Sequence, residues 1–291
     1  MTNSFDASVS PTTRSLQSNG LTFPVLSWGP EGGRPILLLH GFPQEPSTWA
    51  PIAEALAAVG FQAFAPHQRG YVASTRPEGP PNCTFTQFIE DAIGIADALG
   101  LKSFDVAGFG MGGMQAWMLT AYRPARVRSL TALRYPHPAA FARGIQSEPE
   151  QMEKWRRLQH QFGAPDVHER AAAMLADNAA RLHGFLADIG LPQPFVDRYV
   201  ERMKEPGALV GALSWERSIS LEEFLKVPPV TVPTLLLWSD GPALSRATLE
   251  ATKDYVHAVY RERDLPNVGH FMLETSPAEL IAPLLQHLQS T

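Results

Sequence analysis

Short, unbroken apolar runs alternate with segments of helical spacing through most of this chain, and that alternation narrows the fold more than any other feature. "PILLLH" (35–40) has the continuous apolar character of a strand covered on both faces. "STWAPIAEALAAVG" (47–60) follows with helical spacing, a Ser/Thr start and Gly60 at its end. The pattern repeats as the strand "FQAFAP" (61–66), a Gly/Pro-rich loop "HQRGYVASTRPEGPPN" (67–82), the helix "TFTQFIEDAIGIADALG" (84–100) and the strand "SFDVAG" (103–108). A helix "MQAWMLTAYRP" (114–124) and a strand "RVRSLTAL" (126–133) complete it. Strands alternating with helices predict a mostly parallel, doubly wound α/β sheet with right-handed crossovers.

The rhythm breaks between Pro138 and Pro228, where only helical patterns occur, such as "PEQMEKWRRLQHQF" and "QPFVDRYVERMKE". It resumes at "VPTLLLWS" (232–239) and "AVYRERDL" (258–265) and closes with the helix "SPAELIAPLLQHLQS". The expected organisation is an α/β core over residues 19–137 and 229–291, a helical cap over 138–228 and a flexible arm over 1–18. A helical block inserted late in a parallel sheet covers the C-terminal edge of the strands, where open α/β sheets place ligands.

Composition sets the outer bounds. A length of 291 residues with 44% hydrophobic content suits one large α/β domain with an insert. The formal net charge of -5, without a long Lys/Arg block, argues against nucleic-acid and anionic-membrane partners. No apolar run approaches the ~20 residues of a membrane span. The first residues lack the basic start and apolar run of a leader, so a cytoplasmic setting is the default expectation. Cys83 is the only cysteine, which excludes an intrachain disulfide and a cysteine-based metal cluster. No metal or cofactor is expected, and no pattern bears on the oligomeric state.

The stretch "FDVAGFGMGGMQAW" (104–117) joins a strand to a helix through a literal G-x-G-x-x-G, Gly108 to Gly113. A dinucleotide loop should follow the first strand of its unit, with an acid about 20 residues on. This one comes after at least three strands, and the next strand ends at Arg134 with no acid nearby. The other strand–turn–helix motif is the nucleophile elbow, G-x-Nu-x-G. Its surroundings decide: "HGFP" (40–43), "APHQRGYVAST" (65–75) and "NVGHF" (267–271) each follow a strand. With "RYPHPAAFARGI" (134–145), they resemble the α/β-hydrolase fold, in its epoxide-hydrolase and haloalkane-dehalogenase-like branch. The resemblance spans nearly all of residues 20–290.

That resemblance implies roles for particular residues. The nucleophile position falls on Gly110, which has no side chain and cannot form an ester intermediate. His270 falls on the catalytic base. The acid turn "WSDGPALSR" (238–246) lacks the family's second Asp and leaves Asp240 as a substitute, or as an ordinary turn residue. The oxyanion hole needs only backbone N–H groups, which Phe42 and Met111 can supply. The P-D-x-R-G motif has His67 in place of Asp, and the cap stretch "SWERS" puts Glu216 where a tyrosine is usual. Met111 also stands where a dehalogenase would place tryptophan. His40, His67, Tyr135, Trp215 and Glu216 are candidate substrate-binding residues, His40 being the one with the strongest structural alternative. Trp155, Phe162, Phe185, Phe195 and Trp215 suggest an apolar lining, or ordinary helix packing.

Three readings follow. The first is a non-covalent enzyme in which His270 assists chemistry on a mainly apolar small molecule bearing a carbonyl or oxyanion. That chemistry includes proton abstraction, cyclisation, lyase cleavage and cofactor-free oxygenation. The second is a ligand-binding protein that has kept the pocket without the chemistry. The third is residual hydrolysis of an ester, lactone or epoxide by direct water attack. Losing a triad nucleophile costs about 10⁶ in turnover, so efficient covalent hydrolysis is not expected.

Overall fold

The structure, a computed structural model, describes residues 10–77, 83–162, 166–239 and 243–291, and the side chains of 160–162 are not among those described. Eight strands form one sheet: β1 (Thr12–Ser18), β2 (Leu21–Trp28), β3 (Arg34–Leu39), β4 (Phe61–Pro66), β5 (Phe104–Phe109), β6 (Val127–Leu133), β7 (Thr234–Trp238) and β8 (Tyr260–Asp264). Their order is β1-β2-β4-β3-β5-β6-β7-β8. β1 and β2 run antiparallel at one edge, and every pairing from β4 to β8 is parallel.

Residues 12–18 are not part of a loose arm. They pair with β2 along their length. "TTRSLQS" escapes the apolar pattern because an edge strand with one wet face needs few apolar residues. The opposite edge, β8, carries Arg261, Glu262 and Arg263, charges that discourage further strand pairing.

Helices cover both faces. Along β3, Ile36 and Leu38 enter one core cluster while Leu37 and Leu39 enter the other, the period-two alternation of a strand. The first cluster is closed by α1 (Ala50–Ala58) and α12 (Pro277–Gln289). The second is closed by α2 (Phe85–Ala98) and α3 (Met111–Tyr122). The described elements between β6 and β7 are helices: α4 (Pro138–Ser147), α5 (Pro149–Phe162), α6 (Val167–Asp188), α7 (Gln193–Met203), α8 (Ala208–Arg217) and α9 (Leu221–Leu225). α6 is interrupted at residues 176–179, where Asp177, Asn178 and Ala179 take positive φ.

Two short elements follow β7, α10 (Arg246–Glu250) and α11 (Met272–Thr275). A buried ion pair ties the loop after β4 to α2: Arg69 grips Asp91 through Nε–Oδ2 (2.6 Å) and Nη2–Oδ1 (2.7 Å). Removing one partner of such a pair leaves a buried charge uncompensated, typically at a cost of about 3–5 kcal/mol. Among the described residues no helix is long and apolar enough to cross a membrane. Nor is there a group of three or more His, Cys, Asp or Glu placed to hold a metal ion.

Candidate active site

One residue separates β5 from α3. Gly110 has φ 57° and ψ −126°, a region that L side chains enter only under strain of about 1–3 kcal/mol. A Cβ built there would meet nothing nearer than Gly41 Cα at 3.7 Å, so the position has room for a side chain but a strained backbone. Gly108 and Gly112 are glycine for another reason. A Cβ on Gly108 would lie 2.2 Å from Gly112 O, and one on Gly112 would lie 2.3 Å from Leu39 O. The first turn of α3 is pressed against the sheet. Met111 is the first residue of α3, so its N–H has no acceptor within the helix and sits at the positive end of the helix dipole.

Gly110 opens on a cavity of about 250 Å³. The core contributes Phe42, Phe109, Gly110 and Met111, and the loop after β8 contributes His270 and Phe271. Tyr135 enters from the segment between β6 and α4, and Glu216 from α8. Leu158 of α5, Phe185 of α6 and Ile189 just after α6 complete an apolar wall. The fold thus gathers Phe42, Gly110, Met111, Tyr135, Glu216 and His270 around one space. Lys154 and Arg157 of α5 also line it, although "KWRRLQ" drew no site assignment from sequence. Asp240 lies outside the described residues.

Burial shapes the chemistry of His270 and Glu216. The His270 Nδ1 is buried with no hydrogen-bond partner among the described residues. Its ring stands edge-on to Phe109 and Phe271. Desolvation, with a smaller contribution from the Arg134 charge, lowers its pKa to about 3. The imidazole is therefore neutral at ordinary pH. The Glu216 carboxyl has no hydrogen-bond or ion-pair partner among the described residues. Its residual exposure is to the cavity, and burial raises its pKa to about 7. The same carboxylate pushes the nearby Tyr135 and Tyr71 hydroxyls further up, after their own desolvation.

In the sequence Arg134 stands out only as a residue at the end of a strand that lacks the acid of a dinucleotide site. It follows β6 directly, is 3% exposed, and takes φ 70°. Its N–H donates to Leu237 O (2.8 Å) and its Nη1 to Ser239 Oγ (2.6 Å). A buried arginine in a strained conformation beside the histidine is a site feature that only its position at a strand's C-terminal end hinted at.

Three candidates do not reach the cavity. His40 is 1% exposed and is a structural clamp. Its Nε2 accepts from Gln68 N–H (3.3 Å), which leaves Nδ1–H to donate to Gly41 O (3.0 Å). Gln68 Nε2 also donates to His40 O. His67 lies at the end of β4, where the charges of Arg202 and Glu45 bear on it, and its Nδ1 is buried without a partner among the described residues. Trp215 is a packing residue: its Nε1 donates to Arg69 O (2.8 Å) and its ring stacks on Phe88 at 3.6 Å. Adjacent positions on α8 point apart, so Glu216 faces the cavity while Trp215 faces the core. Of the other aromatics, Phe185 lines the cavity, whereas Trp155 packs on Phe141 and Phe195 on Tyr199. The Phe162 side chain lies outside those described.

A layer beneath the site supports the loop that carries Phe42. Gln44 Oε1 accepts from Gly41 N–H (3.0 Å), and Gln44 Nε2 donates to Glu274 Oε1 (2.8 Å). Thr48 and, from α7, Tyr199 donate to the same oxygen at 2.8 and 2.7 Å. Glu274 therefore joins the 41–44 turn to the helical insertion.

The family profile described as the alpha/beta hydrolase fold matches residues 34–277. The chain belongs to the α/β-hydrolase-fold family, and its similarity is to the epoxide-hydrolase-like branch. It is 29% identical over 284 residues to the AB hydrolase superfamily protein YfhM of Bacillus subtilis, covering 94% of this chain and 97% of that one. It is 29% identical over 271 residues to epoxide hydrolase 4 of Mus musculus, covering 90% and 75%. Among solved structures, an epoxide hydrolase from hot-environment metagenomes superimposes with a TM-score of 0.82 at 26% identity, covering 95% and 98%. A Bacillus megaterium epoxide hydrolase in complex with an inhibitor gives 0.83 at 23% identity, covering 95% and 100%, which speaks to the fold alone.

Proposed function

We propose that this protein is an enzyme that works without a covalent nucleophile at the elbow. It would transfer protons to and from a small, mainly apolar molecule bearing a carbonyl or developing oxyanion. The observation that carries this reading is the shared cavity: a side-chain-free Gly110, Met111 at the start of α3, neutral His270 and an unpartnered Glu216 all border one space.

Glu216 is the better-matched proton carrier. A group poised near the working pH is populated in both protonation states and transfers protons efficiently, typically worth about 10²–10⁴ in rate. His270, neutral and poorly basic, accepts a hydrogen bond or polarises the substrate more readily than it holds a full charge. Negative charge developing on a substrate oxygen would be met by the N-terminus of α3 through Met111 N–H, with Phe42 N–H as the second donor. One such donor is worth about 10²–10³ in turnover. Proton abstraction beside a carbonyl, cyclisation, lyase cleavage and cofactor-free oxygenation all fit these parts, and none needs a resident cofactor or metal.

The names of the relatives favour a second reading, hydrolysis of an epoxide, ester or lactone by water activated at His270. Incorporation of labelled water into product, with no protein adduct, would support it over the first. The test of the main reading is conversion. The protein is incubated with a small-molecule extract and products are followed by mass spectrometry, in parallel with Glu216→Gln and His270→Ala. Wild type should form a product that Glu216→Gln slows by about 10²–10⁴. A product formed equally by all three proteins would sink it. A ligand that binds and emerges unchanged would favour a binding protein instead.

A further inference from the structure

We propose that the molecule taken by this site is amphipathic, with an anionic end, carboxylate or phosphate, held by arginines at the mouth of the cavity. This rests on reading the cavity as the functional site, but it concerns recognition and not turnover. A groove of about 800 Å³ between α5 and α6 shares Arg157, Phe185 and Ile189 with the cavity. The cavity therefore continues into the groove.

The groove is basic. Arg156 and Arg157 of α5 and Arg170 and Arg181 of α6 line it, against the two acids Glu153 and Asp188. Glu153 is already taken by Arg157, one turn along the same helix at 3.0 Å. Arg156 and Arg181 are exposed and have no hydrogen-bond or ion-pair partner among the described residues. Guanidinium forks match planar oxyanions in geometry as well as charge, and a basic rim raises the encounter rate of anions with a site.

The two ends of the path differ in the sense a binding orientation requires. The inner cavity is walled by Phe109, Leu158, Phe185 and Ile189 and holds Glu216, and the cations lining it, Lys154 and Arg157, are each paired one turn along α5, with Glu150 (2.9 Å) and Glu153 (3.0 Å). An anion pushed inward meets an apolar wall and, once Glu216 ionises, a like charge. An anion left at the rim meets arginines. An amphipathic ligand therefore enters with its neutral end first, and that end reaches Gly110 and His270. A cavity of about 250 Å³ is below the usual range for drug-sized ligands, so the neutral end is about the size of one ring or a short chain.

The test is calorimetric titration of the full chain at low salt with 4-phenylbutyrate, 4-phenylbutyl phosphate and the neutral 4-phenylbutan-1-ol. At least one anion should bind about tenfold or more tightly than the alcohol, and the tighter of the two identifies the preferred oxyanion. That ratio should fall toward one in the double variant Arg156→Gln, Arg181→Gln and at about 0.5 M salt. Both positions are exposed, where substitutions rarely disturb folding, and reading a ratio removes any loss of active fraction. Equal binding of all three probes, a ratio unmoved by the double variant, or no saturable binding of any probe overturns the proposal. If the anion preference holds but no conversion is found, the enzyme reading fails and this one stands. A converted substrate without an anionic end does the reverse.

Discussion

Arg134 and His270 are close enough that the guanidinium charge helps keep the imidazole unprotonated. A triad histidine is instead held by a carboxylate on its Nδ1, which raises its basicity. Here the Nδ1 is buried without a partner among the described residues. The histidine of this site is consequently set up as a neutral group. An NMR titration should show no protonation of His270 between pH 5 and 8; a midpoint near 6.5 would contradict the geometry.

The same physics predicts the acid response of the fold. Burial lowers His40 to about 3 and His137 to about 4. Both folded values lie below the unfolded 6.5, so the unfolded chain binds more protons between those limits. The contribution of these histidines should be full above pH 6.5 and be lost as pH drops toward 4. The slope approaches 1.4 kcal/mol per pH unit for each such histidine. Denaturant midpoints measured from pH 7 to 4 check this, and a flat profile would refute it.

Glu216 has the opposite sign. Its folded value, raised to about 7 from 4.5, means that the folded chain holds the extra proton in that window. Its contribution is present below pH 4.5 and lost as pH rises through 7. Glu216→Gln removes the cost of ionising a buried carboxyl. The variant should match wild type near pH 4.5 and exceed it by about 1–3 kcal/mol at pH 8. Equal stability at both pH values would show that the carboxyl finds solvent or a partner.

The glycines of the elbow should separate by cause. Gly110→Ser has room beside Gly41 but inherits the strained backbone, so it should fold with a loss of about 1–3 kcal/mol. Gly112→Ala drives a Cβ into Leu39 O and His40 O and should cost more, through displacement of α3. Thermal melts of the pair check the ranking. Gly110→Ser should also gain little esterase activity, because His270 lacks an activating acid among the described residues. Robust hydrolysis from that one change would mean that Asp240 does orient the histidine.

Glu274 should behave as a keystone for the 41–44 turn. Its Oε1 collects donors from Gln44, Thr48 and Tyr199, and apolar replacement takes this acceptor from all three, with Thr48 Oγ1 (3.2 Å) left as an alternative for Tyr199 alone. Glu274→Leu should lose about 3 kcal/mol or more. Hydrogen exchange at Gly41 should rise in step, since Gln44 would no longer be held. Unchanged exchange there would make Glu274 merely a packing residue.

Much of this architecture is legible in the sequence, for a physical reason. Gly108, Gly110 and Gly112 mark an approach of helix to strand that only glycine allows, and the apolar runs of β3 to β7 mark buried parallel strands. Glu216 stands out because "SWERS" breaks a family pattern. What stays hidden depends on tertiary contacts. β1 is too polar to register as a strand. His40 and Trp215 look like site residues until Gln68 N–H and Arg69 O claim their polar atoms. The arginines of α5 and α6 converge only when two helices distant in sequence form one groove.

On the proposed reading, this site turns over substrate without bonding to it. Acid-quenched intact-mass spectrometry during conversion tests that directly, using the product-forming extract together with an added panel of epoxides and activated esters. The protein mass should stay unshifted throughout turnover. An adduct that appears and decays at the rate of product formation would contradict it.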